Sequence, residues 1–381
     1  MKKFEQIIKK VRHGDIGKSL KLRWDRYYGR KLNYFHGWRT KQKLLVIESD
    51  DWGCEHIRST ESIKMIEQGT ANIGTSTFDS LETPRDVQRL CDVLCSVTDQ
   101  NNNNAIATLN FVMANANFEA VKNNGFSEMK LKTIDQGWNH EPNADFLWSA
   151  YRAGINKKLL VPQLHGITHF NTEDGLELLK KGDEQTIKAF DLLMIGEGQE
   201  KTGIGLKSMS PIYFGSDKVI ERKVEMGLSE FKRIFGVESK TSIAPCYGWS
   251  SPQTENAMAK HGVIAMQGRE YQHLPNGKTS LHFMGQRKYN IIYMVRNCFF
   301  EPFADGTTAD ECVEQIRWQF DHDFPAVIST HRINYTSRIS EKAADTGLKV
   351  LSQVLKKIKI LYPQVEFCSS ETLAMLINKQ V

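Results

Sequence analysis

Short apolar runs alternate with amphipathic stretches along most of this 381-residue chain. The runs of strand length lie at 43–49, 105–113, 158–165, 240–245, 263–268, 290–295, 325–331 and 364–369. Between them, segments such as 84–97 space apolar residues three and four positions apart, a pattern typical of a helix that packs by one face. This alternation predicts parallel strands joined by crossover helices, either as a (β/α) barrel or as an open doubly wound sheet.

Two regions depart from the alternation. Residues 1–43 precede the first strand-like run and hold 14 Lys or Arg against three Asp or Glu, a net charge of +11 in a chain whose total is +5. We expect 1–43 to form a basic N-terminal arm and 44–381 to form the catalytic (β/α) domain. Residues 172–235 contain successive helical stretches, and we expect a helical insertion there.

The basic arm interleaves aromatic residues with cations, most densely at 18–31. Such a segment suits an anionic lipid or membrane surface or a phosphate-bearing substrate. The ordinary alternative, which we favour, is a solvated helix packed on the domain. We expect no nucleic-acid partner, because no nucleic-acid-binding motif accompanies the charge. With no signal-peptide pattern, no apolar run near the ~20 residues of a membrane span and no paired cysteine spacing, we expect a cytoplasmic protein, with peripheral membrane attachment as an option.

Carboxylates and imidazoles collect where the predicted strands end. The first strand ends at the adjacent pair Asp50 and Asp51, a later strand is followed by His165 and His169, and the last run closes at His331. Because the C-terminal ends of parallel strands share one edge of the sheet, we expect these side chains to lie close together. Two imidazoles and one carboxylate form a three-ligand metal site, which leaves the second carboxylate for proton transfer.

Each of these signals has an ordinary explanation when taken alone. Paired Asp residues are common in turns and at helix N-caps, the spacing of His165 and His169 arises by chance in many proteins, and a lone His is usually just hydrogen-bonded. Their occurrence together, in order at successive strand ends, favours a shared site.

The segments "SDDWG", "HGITH" and "STH" resemble the first, second and last motifs of the polysaccharide deacetylases, the NodB-like carbohydrate esterases. The resemblance implies a distorted (β/α) barrel with about seven parallel strands. It implies that Asp51, His165 and His169 hold a divalent metal ion, with zinc as the first candidate and cobalt, manganese or iron as others. It also implies that Asp50 is the general base and His331 the general acid.

One motif departs from the family pattern. The segment "IAPCYGW" (243–249) stands where the family has an Arg-x-Pro-aromatic motif, but the Arg, which in the family helps to hold the catalytic Asp, is absent here. We consider "VRNCFFEP" (295–302) a candidate source of replacement polar groups. Aromatic residues near the motifs are candidates for stacking on sugar rings. The expected substrate-binding residues are Trp52, Pro245, Tyr247, Trp249 and Arg296.

The function expected from these residues is metal-dependent hydrolysis of an acyl group, in the first instance acetyl, from an N-acylated amino sugar or oligosaccharide. A precursor of a surface polysaccharide is the candidate substrate. The alternatives are hydrolysis of another C–N bond on the same scaffold and a non-catalytic carbohydrate-binding relative, which the missing Arg suggests. An Fe(II) oxygenase also uses two His and one carboxylate, but the strand–helix alternation argues against it.

Overall fold

Strands and helices alternate through the computed structural model, which describes residues 15–56, 79–139, 141, 144–193, 212–245, 252–274 and 278–380. The strands are β1 (Lys43–Trp52), β2 (Ala107–Phe111), β3 (Ala114–Ala116), β4 (Leu131–Thr133), β5 (Leu160–Leu164), β6 (Thr241–Ser242), β7 (Ala265–Gly268), β8 (Tyr271–His273), β9 (Thr279–Leu281), β10 (Arg287–Lys288), β11 (Ile291–Val295), β12 (Cys298–Phe299), β13 (Ala326–His331) and β14 (Val365–Phe367). The helices are α1 (Asp15–His36), α2 (Pro84–Cys95), α3 (Phe118–Asn123), α4 (Asp145–Asn156), α5 (Thr172–Lys180), α6 (Glu184–Asp191), α7 (Asp217–Phe235), α8 (Pro252–Lys260), α9 (Ala309–Asp321), α10 (Glu341–Leu361) and α11 (Ser370–Gln380).

A single ten-stranded sheet forms the centre of the described part of the chain. Its hydrogen-bonded order is β10–β11–β7–β6–β5–β2–β1–β13–β12, and β14 lies beside β1. Within this sheet only β10 pairs antiparallel, with β11. Seven strands lie side by side in parallel and make up most of the sheet, namely β11, β7, β6, β5, β2, β1 and β13. This agrees with the expected α/β fold of about seven parallel strands.

The sheet curves into a distorted barrel, and side chains of strands that are not neighbours in the sheet meet inside it. Asn110 of β2 donates through Nδ2 to Oε1 of Gln267 in β7, at 2.8 Å. The seam of the barrel lies where β11 runs directly into β12, which pairs with β13. At that seam the backbone N–H of Asn297 donates to the carbonyl of Val327 at 3.1 Å.

Helix α2 shows how the local sequence produces the layer outside the barrel. It begins with a capping box in which Thr83 and Asp86 satisfy each other's backbone N–H groups, and Pro84 occupies the first turn, where it is well tolerated. Its buried residues include the predicted apolar face, namely Val87, Leu90, Cys91 and Leu94. The helix predicted within 84–97 is therefore confirmed, and it ends two residues earlier than predicted, at Cys95.

The region predicted as a helical insertion contains two kinds of helix. Helix α7 belongs to the layer around the barrel: a Cβ on Gly227 would lie 3.2 Å from the backbone N of Ile167, just after β5. Helices α5 and α6 instead contribute to a separate apolar cluster that includes Phe118, Leu179 and Phe190. Of the helices described in this region, α5 and α6 are the ones that lie outside the helical layer around the barrel.

Within the basic arm, α1 is a helix packed on the barrel. Asn33 donates through Nδ2 to the carbonyl of His282 at 2.8 Å, and its Oδ1 accepts from the N–H of Met284 at 2.8 Å. Gly29 permits the close approach, because a Cβ there would lie 2.5 Å from Cγ of Glu270. Among the described helices we find none with the length and apolar character of a bilayer-spanning segment.

We predict that Gly347→Ala in α10 destabilises the protein. A Cβ at this position would overlap the carbonyl oxygen of Asn334, in the turn that follows β13, so the helix or the turn must move. The expected loss is about 2 kcal/mol or more in the free energy of unfolding, measured by chemical denaturation. Lys349→Ala, on the exposed side of the same helix, is the control and should stay within about 0.5 kcal/mol. Equal losses in the two variants would contradict the prediction.

Candidate metal centre and active site

A bulge at the end of β1 positions two adjacent carboxylates. Ser49 pairs with Leu109 of β2 and Trp52 pairs with Phe111, so the interval on β1 is one residue longer than on β2. Within it, Asp51 has φ +73°, in the left-handed region. Successive side chains of a regular strand point to opposite faces, but the extra residue breaks that alternation. Both carboxylates therefore come within electrostatic reach of the same histidines.

Asp51, His165 and His169 converge on one point. Oδ1 of Asp51 lies 3.1 Å from Nε2 of His165 and 3.0 Å from Nε2 of His169. The other ring nitrogen of His165, Nδ1, lies 3.1 Å from the carbonyl oxygen of Ile243. If Nδ1 donates there, Nε2 keeps its lone pair for a ligand, which is the usual support of a metal-binding imidazole.

The donor set fits a divalent ion. Two donors bound tetrahedrally at zinc distances are about 3.3 Å apart, close to the spacing between Asp51 and each imidazole. Burial opposes ionisation of Asp51, but His169 and His165 more than offset it and hold the pKa of Asp51 well below its ordinary value. Asp51 and His165 are buried whereas His169 is half-buried, so the site is closed on one side and more accessible on the other.

A second group of donors shares His169. Cys54, His56 and His169 also have ligand atoms within 4.8 Å of one another. His56 is held by Asp79, whose Oδ2 lies 2.5 Å from Nδ1, and its ring centroid is 4.9 Å from that of His169. Burial raises the pKa of the Cys54 thiol well above its ordinary value, which disfavours the thiolate that a metal needs. The group containing Asp51, whose carboxylate lies 3.0–3.1 Å from both imidazoles, is the candidate centre that we consider first.

Asp50 is held by a two-pronged ion pair. Its Oδ2 accepts from Nη1 of Arg296 at 2.6 Å, and its Oδ1 accepts from Nη2 at 2.7 Å and from Nδ2 of Asn110 at 2.8 Å. Burial opposes ionisation of Asp50, but the guanidinium outweighs it and lowers the pKa of Asp50 to about 2. Asp50 is thus a fixed carboxylate at neutral pH.

The position of Arg296 corrects one expectation and supports another. Its side chain is fully buried, and Nε donates to Oε2 of Glu48 at 2.6 Å, so it cannot bind substrate as expected. Instead Arg296 contacts Asp50, the task that the missing motif Arg performs in the resembled family. Burial raises the pKa of Glu48, an effect that Arg296 opposes.

The expected sugar-stacking role of Trp52 is wrong for this structure. Trp52 is 0% exposed, and its Nε1 donates to Oγ of Ser49 at 2.9 Å. The bulge turns this ring into the core beside Tyr151, at 6.4 Å between centroids. Pro245 is also buried, next to Gly166, so neither residue offers a face to a sugar. The other two aromatic candidates, Tyr247 and Trp249, lie outside the described residues.

His331 lies beside Asp50 and forms its own pair with a carboxylate. The parallel register of β1 and β13 sets the two residues opposite each other. Nδ1 of His331 lies 2.5 Å from Oε1 of Glu301, and Oε2 of Glu301 accepts from Nδ2 of Asn334 at 2.6 Å. Burial disfavours the charged ring, but Glu301 outweighs it and raises the pKa of His331 well above its ordinary value. The half-buried ring is therefore an imidazolium that can donate a proton.

A second buried arginine joins the residues directly after β1 to those just before α2. Arg332 donates to Oδ1 of Asp79 at 3.0 Å, to Oε2 of Glu82 at 2.8 Å and to the carbonyl of Cys54 at 2.6 Å. This network ties both of these segments to the turn after His331. The sequence reasoning missed Arg332, Asp79 and His56; the adjacency of Arg332 to His331 was an available signal, whereas nothing marked Asp79 as a partner.

Comparison with known proteins finds solved structures with a similar fold. No family model and no curated protein matches this sequence. A structure described as a glycoside hydrolase/deacetylase from Parabacteroides distasonis is similar, with TM-score 0.50 and 11% identity, over 90% of this chain and 73% of that one. A structure described as a polysaccharide deacetylase from Mycobacterium smegmatis has TM-score 0.44 and 11% identity, over 90% of this chain and 93% of its own. The first likeness confirms the distorted α/β barrel fold that the motif resemblance implied.

We predict that Arg296→Gln destabilises the protein by about 3–5 kcal/mol, because it leaves Glu48 and Asp50 buried without their cation. Urea denaturation measures the loss. Arg233→Gln is the matched control: Arg233 also contacts two carboxylates, but its side chain is 49% exposed, and its removal should cost less than about 1 kcal/mol. A loss for Arg296→Gln as small as for the control would show that the buried ion pairs contribute little.

Proposed function

We propose that this chain is a metal-dependent hydrolase that removes an acyl group, in the first instance acetyl, from an N-acylated amino sugar or oligosaccharide. The observation that carries the proposal is the convergence of Asp51, His165 and His169 on one point. Asp50 and His331 flank that point from neighbouring strands. The deacetylase-type fold supports the same reaction class.

The three converging residues would hold the ion. One carboxylate and two imidazoles suit zinc, and cobalt, manganese or iron(II) can take the same donors. When bound, a divalent ion supplies Lewis-acid activation of water and of the acyl carbonyl. The protein contributes rigidity, because Asp51 and His165 are buried and His165 also contacts the carbonyl of Ile243.

Asp50 would orient the attacking water and accept its proton. Arg296 and Asn110 fix the direction of the carboxylate through three hydrogen bonds. A carboxylate with a pKa of about 2 is a weak base, which suits a group that accepts a hydrogen bond from the water first and takes the proton late.

His331 would protonate the departing amine. Glu301 engages Nδ1, which leaves Nε2 as the nitrogen that can transfer a proton. The same carboxylate stabilises the imidazolium, so the proton is present before the C–N bond breaks. Cleavage then places the acyl group on the water oxygen and the proton on the amine.

The substrate we propose is a precursor of a surface polysaccharide, linked to a lipid or a nucleotide. The strongly basic sequence of residues 1–43 motivates this choice, because such precursors carry phosphate groups. A cytoplasmic location belongs to the same proposal.

We predict that the purified protein binds close to one equivalent of a divalent metal. His165→Ala/His169→Ala should lose this metal, because two of the three converging donors are removed. Elemental analysis after incubation with zinc, cobalt, manganese or ferrous salts measures the content. Cys54→Ser/His56→Gln is the control, since it alters the second donor group and leaves Asp51, His165 and His169 in place. Because His169 belongs to both groups, metal loss from this control as well as from His165→Ala/His169→Ala would assign the ion to the second group. No metal in any form would overturn the proposal.

We predict that His331→Gln slows acyl release by about 10²–10⁴-fold without emptying the metal site. The physical reason is that the variant lacks the proton donor but keeps all three proposed ligands. Acetate release from N-acetylated glucosamine oligosaccharides, together with metal content, makes the test. His261→Gln, at the end of α8, is the control and should retain turnover. Loss of metal from His331→Gln would contradict the role assigned to His331.

A further inference from the structure

Exposed aromatic side chains collect on α1 and on the facing end of α9. They make up half of the twelve large apolar side chains that are exposed in the described residues. This aromatic face consists of Trp24, Tyr27, Tyr28, Tyr34, Phe35 and Trp318, which are 40% to 70% exposed. Trp24 stacks on Tyr28 at 5.6 Å, and Tyr34 lies 6.2 Å from Trp318 across the two helices. The rings therefore form a patch on one side of the molecule.

Cations are interleaved with these rings. Nζ of Lys31 lies 4.6 Å from the ring centroid of Tyr27, and the Arg39 guanidinium lies 5.4 Å from that of Tyr34. Between 15 and 36 the sequence has six Lys or Arg and two Asp. The two carboxylates that line the cavity behind the patch have cationic neighbours: Glu270 lies 4.0 Å from Arg30, and Glu314 lies 3.1 Å from Arg317. The face is therefore positive as well as aromatic.

A cavity of about 700 Å³ opens behind the aromatic face, between α1, α9 and the seam of the barrel. Its wall is mainly apolar and includes Met284, Val295, Phe299 and Phe324. Tyr27, Tyr34, Phe35 and Trp318 line it together with the cations Arg30 and Lys31. The cavity thus joins an apolar interior to a mouth that carries rings and positive charge.

We propose that this face docks on a membrane surface that contains anionic phospholipid. Trp and Tyr favour the headgroup level of a bilayer, and basic residues beside them are attracted to anionic headgroups. The apolar cavity would admit part of an acyl chain. The inference extends the proposed function by bringing the chain to the place where a lipid-linked substrate resides, but vesicle binding itself needs no turnover.

Two other occupants fit less well. A second copy of the chain, paired symmetrically through this face, would bring two positive surfaces together. A nucleic acid would match the charge, but its phosphate backbone has no use for an apolar cavity, and Phe35 would stay 70% exposed beside a polar duplex. The lipid surface is the occupant that uses the rings, the cations and the cavity together.

The test is sedimentation of the full-length protein with vesicles of phosphatidylcholine alone or mixed with about one-third phosphatidylglycerol, at low and at physiological salt. We expect binding to the anionic vesicles, weakened about tenfold or more by Arg23→Glu/Lys31→Glu. Trp24→Ala/Phe35→Ala should also weaken binding, and this loss should persist at physiological salt because it is not electrostatic. The matched controls are Lys342→Glu/Lys349→Glu on α10 and Phe146→Ala, a residue 72% exposed on α4. Both should bind as the unmodified protein does.

Several outcomes would overturn the inference. They are no binding to anionic vesicles at low salt, equal losses in test and control variants, and a variant effect confined to self-association or to binding of a duplex oligonucleotide. Circular dichroism of each variant separates lost binding from lost folding. Metal content and acyl release are measured on the same samples. Vesicle binding without hydrolysis would retain this inference and overturn the proposed function, whereas hydrolysis without vesicle binding would do the reverse.

Discussion

The ion pairs of Arg296 with Glu48 and Asp50 are the interaction on which the site most depends. Two carboxylates stand close together inside the barrel, and buried charges are tolerated only when they are paired and hydrogen-bonded. Arg296 meets both, and through Oε1 of Gln267, at 3.0 Å, it also joins β7 to the strands that carry the site. The guanidinium therefore fixes the ionisation of Asp50, its direction and the local closure of the barrel at once.

The residues on either side of the segment 57–78 are held by a similar arrangement. Arg332 lies between Asp79 and Glu82 and is fully buried, as Arg296 is between its own two carboxylates. The end of β1 is thus held from inside the barrel by one arginine and from the following loop by the other. In contrast to these buried ion pairs, α1 presents exposed rings to solvent. The cavity behind those rings is lined in part by Arg296, so the proposed contact surface and the candidate site meet at that residue.

The sequence allowed the fold and the meeting of Asp51, His165 and His169 to be predicted, because parallel strands bring their C-terminal ends to one edge. Arg296 could only be suggested as a partner of Asp50, since their contact depends on which strands face each other across the closed barrel. The expectation that Trp52 contacts the substrate failed for a different reason. The bulge shifts the alternation of side chains by one residue, and periodicity alone assigns no such shift.

That bulge also requires a backbone conformation that is unfavourable for the residue proposed as a metal ligand. Asp51 occupies a left-handed conformation, which Asp tolerates better than most residues but which glycine adopts without steric cost. A glycine at this position would relax the backbone and lose the proposed ligand. A relative that keeps this bulge but holds no metal would therefore be free to carry glycine at this position, so the residue found at position 51 would distinguish the two kinds of relative.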